Sequence, residues 1–366
     1  MGNKNRIRKG NNKLNKNSKS PKRNIILLAL AGAIAMGFGI GGFMLISATD
    51  DDKIKSNIGS DGQYLTGNWM DIHGIGVISN DRGNYSLYIA THNGLFKKDE
   101  GSQSSIWHPV GNDNSDLMGF AVNPGNKDTM YSSGHPTTGG NLGFRVSDDY
   151  GITWQKVSDV TTPLPIDFHT MTVGNNPEIV YGASGSGNTI YISADEGKTW
   201  TAVSSPNGER VLTLTANKTS SNVVYASTTN GLFYSEDQGK TWKEVNTTVI
   251  PEGALVSGIE ISPDGKTTYA FVVPDQNENA FMIKSTDGAK TWSKTEGQIK
   301  GVKYTNKFAF GGDKVYAIVN QEAPDNAGDS SGGGTGSEIA SSVYSSTDGG
   351  KTWVLEGTNN RSIVEA

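Results

Sequence analysis

Five histidines are the side chains in this 366-residue sequence best suited to metal binding or proton transfer, and all lie in its first half. Three aspartates stand close to them along the chain, so imidazole and carboxylate groups recur together. The histidines are His73, His92, His108, His135 and His169, and the aspartates are Asp71, Asp116 and Asp167. Their chemistry depends on whether the fold brings them together.

An eight-letter box that occurs five times indicates what that fold is. Its versions are SDDYGITW, SADEGKTW, SEDQGKTW, STDGAKTW and STDGGKTW, and the third position holds Asp149, Asp195, Asp237, Asp287 or Asp348. The box predicts a hairpin turn, because Asp accepts hydrogen bonds from nearby backbone N–H groups and Gly supplies a positive φ. Ala289 replaces glycine in the fourth box, so we expect that turn to be strained or rearranged.

The boxes belong to a longer repeat. Six tryptophans from Trp107 to Trp353 lie 42 to 61 residues apart, and a tyrosine-centred strand and a short alternating strand precede each box. Four strands per unit at this period predict an all-β fold, a propeller of six blades over residues 66–358. A seventh blade is the alternative, if the strand at Trp69 belongs to a further unit. Glycine abundance and the shortage of long apolar runs in this region agree with many short strands.

The box S-x-D-x-G-x-T-W resembles the Asp-box of BNR-repeat propellers, which occur in sialidases and sortilin-like ectodomains. The segment IHGIGV…YIATHNGLF also resembles bacterial and archaeal proteins named as BNR-type glycosyl hydrolases. The resemblance implies that the boxes are structural and that the fold hosts many activities. Sialidases of the family hold a carboxylate with three arginines and carry an Arg-Ile-Pro motif. This body has no such motif and only Arg82, Arg145, Arg210 and Arg361, which argues against a sialidase.

Aligning the repeats places the histidines at one mouth of the channel. The first strand of successive units carries His73, Met118, His169, Leu212, Ser257 and Asn306 at one equivalent position. The end of the second strand carries His92, His135, Gly185, Thr229, Val273 and Asn320. In an up-and-down blade these two positions lie on the same face, and the boxes lie on the opposite face. His108, on an outer strand, is expected at the surface.

This register predicts a transition-metal site for copper or zinc, since imidazole and thioether suit both ions and the affinity order favours copper. His73 and His169 would bind with Met118 between them, and His92 and His135 would stand just outside. The three aspartates would orient the imidazoles, and binding would weaken below about pH 6. The alternatives are a polar rim of hydrogen-bonded histidines and aspartates that cap turns.

A glycoside hydrolase is the competing class. It needs two opposed carboxylates, which Asp71, Asp116 and Asp167 could supply. The preferred class is a binding or scaffold module for a protein, glycan or metal ligand. The sequence has no cysteine, which excludes disulfides and thiolate metal sites.

The N-terminal region predicts a membrane anchor. Residues 1–23 carry nine Lys or Arg and no acid, and the apolar stretch in residues 24–48 is long enough to span a bilayer. A polar stalk, residues 49–65, follows, and residues 359–366 form a tail. The basic flank predicts a cytoplasmic N-terminus and an extracytoplasmic propeller; a cleaved signal peptide is the alternative.

Two further features concern partners and loops. The remaining residues carry 23 Lys or Arg against 37 Asp or Glu, an acidic balance that argues against nucleic-acid binding. Residues 324–338, rich in Gly and Ser, follow a second strand and form a flexible insertion on the histidine face, a lid or a disordered loop.

Overall fold

The protein forms six four-stranded antiparallel sheets. The computed structural model describes residues 69–359, apart from 80–83, 101–105, 162–164, 176–177, 246, 275–279 and 323–338. Each sheet is built from four consecutive strands, so each is one blade. The fold is therefore an all-β propeller of six blades, and the alternative of seven is wrong for the described residues. Trp69 precedes the first strand and packs against Trp107 and Phe96 of the same blade.

The first three blades extend from residue 72 to residue 204. Blade 1 contains β1 (Ile72–Ser79), β2 (Tyr85–Thr91), β3 (Gly94–Asp99) and β4 (His108–Val110). Blade 2 contains β5 (Asp116–Val122), β6 (Met130–His135), β7 (Phe144–Ser147) and β8 (Gln155–Ser158). Blade 3 contains β9 (Phe168–Gly174), β10 (Ile179–Ser184), β11 (Thr189–Ser193) and β12 (Thr201–Ser204).

A 3-10 turn, Pro206–Gly208, leads into the last three blades. Blade 4 contains β13 (Val211–Ala216), β14 (Val224–Thr228), β15 (Gly231–Ser235) and β16 (Lys243–Glu244). Blade 5 contains β17 (Leu255–Ile261), β18 (Thr268–Val273), β19 (Phe281–Ser285) and β20 (Ser293–Lys294). Blade 6 contains β21 (Val302–Gly311), β22 (Lys314–Glu322), β23 (Ile339–Ser346) and β24 (Val354–Thr358).

The first strand of every blade lines the central channel, because each of these strands contacts the first strands of both neighbouring blades. Chain direction then fixes two channel mouths. The first strands begin and the second strands end at one mouth, which we call the histidine mouth. The first strands end at the other mouth, where the third strand also turns into the fourth. We call this the box mouth.

The Asp-box closes the turn between the third and fourth strands by hydrogen bonds within the box. Asp237 Oδ1 accepts from the backbone N–H of Thr241 at 2.8 Å, and Asp237 Oδ2 accepts from the Thr241 hydroxyl at 2.7 Å. The hydroxyl of Ser235 donates to Asp237 and accepts from the N–H of Gly239 at 2.7 Å. In all five boxes the Asp accepts from the backbone N–H of the residue four positions ahead.

The fourth box keeps this network although Ala289 stands in the glycine position. Ala289 has φ 64° and its N–H donates to Ser285 Oγ at 3.0 Å, and Thr291 still donates to Asp287. The turn is therefore strained, as predicted, but it is not rearranged. An alanine in the left-handed region costs roughly 1–2 kcal/mol.

The box tryptophans pack between neighbouring blades. Trp200 of blade 3 lies with its ring centroid 5.1 Å from Phe144 of blade 2 and 5.1 Å from Phe168 of its own blade. Its indole N–H lies 3.0 Å from the hydroxyl of Ser158, also in blade 2. Each of the other repeated tryptophans likewise belongs to an apolar cluster that includes residues of the preceding blade.

Side chains close the ring between blade 6 and blade 1, because no sheet contains strands from both blades. The ammonium of Lys98 lies 2.6 Å from a carboxylate oxygen of Glu356, and both side chains are about nine-tenths buried. The Trp107 indole donates to the backbone carbonyl of Glu356 at 3.2 Å. We call this set of contacts the seam.

The predicted membrane anchor, the stalk and the basic segment lie outside the described residues, as does the 324–338 insertion. Among the residues that are described, no helix has the length and apolar character needed to cross a bilayer.

Candidate metal centres at the histidine mouth

A β-bulge at the entry of each first strand positions the side chains of the histidine mouth. The pairing of β1 with β2 skips His73, and the pairing of β9 with β10 skips His169. The skipped residues in blades 4, 5 and 6 include Leu212, Ser257 and Asn306. In blade 2 the skipped pair is Leu117 and Met118. These residues include all six that the sequence alignment placed together. A bulge leaves its extra residue outside the regular pairing and changes the direction of its side chain.

The first candidate centre lies between blades 1 and 2 and contains His73, His92 and Asp116. His73 is the bulge residue of β1, His92 directly follows β2, and Asp116 begins β5. The Asp116 carboxylate oxygens lie 2.7 Å from Nδ1 of His92 and 3.4 Å from Nε2 of His73. The two imidazole centroids are 4.5 Å apart and nearly perpendicular. One potential ligand atom from each residue lies within 4.8 Å of the other two.

The second candidate centre repeats this composition between blades 2 and 3. His135 ends β6, Asp167 directly precedes β9, and His169 is the bulge residue of β9. One oxygen of Asp167 lies 2.7 Å from Nε2 of His169 and 3.2 Å from Nε2 of His135. The other nitrogen of His135, Nδ1, lies 2.9 Å from the carbonyl of Gly140. These three residues also offer ligand atoms within 4.8 Å of one another.

Burial and neighbouring charges move the histidine pKa values in opposite directions. Burial, together with the neighbouring His92 and the histidines of the second centre, lowers the pKa of His73 to about 3. The contact with Asp116 raises the pKa of His92, against the effect of burial. Asp167 and the Gly140 carbonyl raise the pKa of His135 to about 9. In the first centre, His73 therefore releases its proton more readily than a free histidine, and His92 releases it less readily. In the second centre, His135 releases its proton less readily.

The Asp167 carboxylate is strongly stabilised in its ionised form. Burial alone would raise its pKa, but the contacts with His135 and His169 outweigh burial and hold the pKa well below the usual range. His135 and His169 lower the pKa of His73, and His135 lowers the pKa of His92, so the second centre acts electrostatically on the first.

Several buried polar atoms in both centres have no hydrogen-bond partner among the described residues. They are His73 Nε2, Asp116 Oδ1 and His169 Nδ1. Asp116 Oδ1 and His73 Nε2 face each other at 3.4 Å without the alignment of a hydrogen bond. A buried polar atom without a partner costs about 1–3 kcal/mol. At the first centre two atoms with lone pairs thus converge without bonding to each other, which is the arrangement that a cation requires.

The structure groups the predicted residues differently from the sequence hypothesis. The four histidines form two pairs, His73 with His92 and His135 with His169, where one shared group was expected. Met118 is buried on β5, two residues after Asp116. Asp71 is less buried, and its Oδ2 lies 3.9 Å from Nε2 of His92. His108 is exposed on β4, as predicted.

The sequence reasoning did not identify Asp116 and Asp167 as direct members of a centre. It assigned both to supporting or hydrolytic roles, although each stands beside a register position that carries histidine. The sequence also did not indicate an ion-pair partner for Arg145. In the structure its guanidinium is buried 2.6 Å from the Asp113 carboxylate, outside both centres.

Sequence comparison confirms the resemblance to Asp-box propellers. Residues 188–335 match a family model described as sortilin, neurotensin receptor 3, and residues 145–156 match the BNR/Asp-box repeat. A search of curated proteins gives no match.

Solved propellers are similar in fold at low sequence identity. A GH74 xyloglucanase from Xanthomonas campestris aligns with a TM-score of 0.50 and 16% identity, over 79% of this chain and 46% of that enzyme. A GH74 enzyme from Niastella koreensis gives 0.46 and 15%, over 80% and 67%. YCF48 bound to D1 peptide gives 0.44 and 16%, over 78% and 83%. The chain spans less than half of the Xanthomonas enzyme, and the likeness shows the fold alone.

Proposed function

We propose that this chain is a membrane-anchored, extracytoplasmic propeller that binds divalent transition-metal ions at the histidine mouth and acts as a binding or scaffold module. The observation that carries the proposal is the pair of His-His-Asp centres, each with ligand atoms within 4.8 Å of one another. Both centres have the same composition, and each lies at a joint between adjacent blades. A chance polar contact at the channel rim could explain one such centre, but it explains two less well.

Zinc is the ion that we favour. Two imidazoles and one carboxylate are a common set of three protein ligands around zinc, and they leave a coordination position open. The same set also suits Fe²⁺. Copper, which the sequence favoured through the thioether of Met118, ranks lower because each centre has three nitrogen and oxygen ligands without it.

The open coordination position gives the metal a role in binding. Three protein ligands leave room for a carboxylate, imidazole or hydroxyl group from a partner, so the ion would join the propeller to a protein or glycan ligand. The centres stand on strand ends and bulges, and these hold ligand geometry better than long loops do.

Metal analysis tests this function directly. The full-length chain, purified without a histidine tag, is dialysed against micromolar zinc and then against metal-free buffer, and bound metal is measured by mass spectrometry. We expect two ions per chain, and one ion in Asp116→Asn or Asp167→Asn. His108→Ala is the matched control, because His108 is exposed outside both centres. Equal metal content in all of these proteins, or none in the unmutated chain, would exclude the proposal.

A glycoside hydrolase remains the competing function, with Asp71, Asp116 and Asp167 as its candidate carboxylates. A screen of the full-length chain against chromogenic glycosides, sialosides included, separates the two functions. We expect no turnover. Turnover that disappears in Asp116→Asn or Asp167→Asn, and persists when zinc is removed by a chelator, would replace the binding function with hydrolysis.

The anchor is the other part of the proposal and rests on residues 24–48. Alkaline extraction of membranes should leave the full-length chain in the pellet and release a variant that lacks residues 1–48. Protease added outside spheroplasts should remove the propeller from the full-length chain. Extraction of the full-length chain at high pH would argue for a cleaved leader instead.

A further inference from the structure

The box mouth opens into a funnel of about 850 Å³ that the proposed metal function does not use. Its walls are the ends of the first strands, and the partly exposed apolar residues along them include Val122 and Phe310. The volume lies within the range of about 300–1,000 Å³ that is usual for small-molecule sites. The funnel is therefore large enough for a small organic ligand.

Two lysines, one from blade 6 and one from blade 4, reach the same strand of blade 3 in this funnel. Lys307 extends from β21 of blade 6 and its ammonium donates to the carbonyl of Met171 in blade 3, at 2.7 Å. Lys218 follows β13 of blade 4 and donates to the carbonyl of Val173 at 3.0 Å. Lys307 is only 8% exposed although it lines the cavity. Its side chain therefore crosses the channel.

The charges around these lysines do not balance. Glu260 is the nearest carboxylate, and its Oε1 lies 3.6 Å from the Lys218 ammonium and 3.0 Å from the hydroxyl of Thr215. Among the described residues, Lys307 has no carboxylate within 4.0 Å; its one hydrogen bond is to the Met171 carbonyl, so two of its three donors are unused. Two ammonium groups face one carboxylate, which leaves one positive charge.

Asp264 and Asp313 also line the funnel, but among the described residues neither carboxylate lies within 4.0 Å of Lys307, and Asp264 accepts from the Ser262 hydroxyl at 2.6 Å. Lys314 is paired with Glu100 at 2.9 Å and Glu356 at 3.6 Å. The ammonium of Lys284 lies 5.4 Å from the centre of the Tyr269 ring. Burial lowers the pKa of Lys307 to about 8, and the nearby Lys218 acts in the same direction. Burial without a counterion therefore weakens the preference of Lys307 for its charged form, although the ammonium still predominates at pH 7.

We propose that the funnel binds a small organic acid, with its carboxylate between Lys307 and Lys218 and its apolar body against the funnel wall. A single carboxylate neutralises the one positive charge and occupies unused Lys307 donors. The apolar walls favour a hydrocarbon body over inorganic phosphate, whose second charge would meet Glu260. This site is independent of the histidine mouth and does not depend on the metal function.

Calorimetric titration of the full-length chain with hexanoate at pH 7 tests the site. Hexan-1-ol, of the same size without charge, and inorganic phosphate are the comparison ligands. We expect hexanoate to bind, and the alcohol and phosphate to bind at least about tenfold more weakly, as expected for loss of one charge-assisted hydrogen bond. Equal binding of hexanoate and the alcohol would overturn the proposal, as would no binding of hexanoate.

Variants locate the bound acid. Lys307→Met and Lys218→Met should each weaken hexanoate binding about tenfold or more. Lys198→Met is the matched control, because Lys198 is exposed and pairs only with Glu196. The circular dichroism of each variant establishes that it is folded.

Chemical labelling keeps the test decisive even if a lysine variant fails to fold. An amine reagent at pH 8 should label Lys307 of the unmutated chain, and hexanoate should protect it while hexan-1-ol should not. Absence of selective protection, or unchanged hexanoate binding in both folded lysine variants, would overturn the site.

Discussion

The two mouths of the channel have opposite chemistry. At the histidine mouth, carboxylates hold imidazoles in two compact groups, and the available atoms are lone-pair donors. At the box mouth, Glu260 lies 3.6 Å from Lys218, while among the described residues the buried Lys307 has no carboxylate within 4.0 Å, so the available atoms are N–H donors. One mouth is therefore suited to cations and the other to anions, although the same six strands line both.

The difference arises from where each side chain stands on its strand. Histidines occupy the bulge at the beginning of β1 and β9, and Lys307 lies inside β21, just beyond the bulge residue Asn306. Contacts across the channel separate the mouths: the Thr213 hydroxyl donates to the Asn306 carbonyl at 2.9 Å, and Lys307 reaches Met171. A propeller can thus carry two unlike sites on one set of strands.

The largest expected effect is loss of metal affinity at one centre only. Asp116→Asn should weaken zinc binding at the first centre by more than about 100-fold, since even partners outside the coordination sphere contribute 10–100-fold. The second centre should keep its affinity, because its ligands come from other residues. Competition titration with a fluorescent zinc chelator gives both constants. A parallel loss at both centres would mean that they form one site.

The second effect is a pH dependence at the box mouth. The pKa of Lys307 is lowered to about 8, so hexanoate affinity should be constant below pH 8 and fall by up to about tenfold per pH unit above it, as the ammonium loses its proton. Lys218 and Glu260 face the same group. Calorimetry between pH 6 and 10 measures the profile. If hexanoate affinity rises with pH instead, the carboxylate of hexanoate binds to a group other than the Lys307 ammonium.

The same lysine should change stability in the opposite sense. Because its pKa is lower in the folded chain than in the unfolded chain, the unfolded chain binds more protons between about pH 8 and 10.5. The contribution of Lys307 to the free energy of unfolding should therefore rise with pH in this window. Comparison of melting temperatures of the unmutated chain and Lys307→Met, without ligand, isolates it. A difference that stays constant across the window would contradict the shift.

A smaller effect is expected at the fourth Asp-box. Ala289→Gly should raise the free energy of unfolding by about 0.5–1 kcal/mol, because relief of the left-handed strain exceeds the entropy that glycine adds to the unfolded chain. Gly239→Ala, at the corresponding position of the third box with φ 80°, should lower it. Chemical denaturation measures both. Zinc uptake should stay unchanged, since the boxes lie away from the histidine mouth.

The smallest effect concerns coupling between the mouths. Saturation with zinc should change hexanoate affinity by less than about twofold, because side chains that cross the channel keep the two ligands apart and buried strands hold them rigidly. A titration of hexanoate with and without zinc measures the coupling. A large change in either direction would show that the mouths form one functional unit.

The sequence predicted the fold well because the fold is repetitive. The box spacing predicted six blades. The repeat register predicted which residues share one position, and in the structure these residues, including His73 and His169, lie at the bulges. It could not give the pairing of the histidines, since that depends on Asp116 and Asp167 reaching across a joint between blades. It also gave no indication of Lys307, whose importance depends on its distance from Met171, 136 positions earlier in the chain.

The seam has a mechanical consequence for a ring of this kind. Bound metal ions would link blade 1 to blade 2 and blade 2 to blade 3. Neither link would join blade 6 to blade 1. Blades 6 and 1 are not consecutive in the chain, so side-chain contacts hold that joint, among them the seam, the Lys314–Glu100 pair and apolar packing between the two blades. If a metal-loaded propeller were pulled from its two ends, the ring would therefore open first at the seam. Blades 1, 2 and 3 would stay joined through the metal ions.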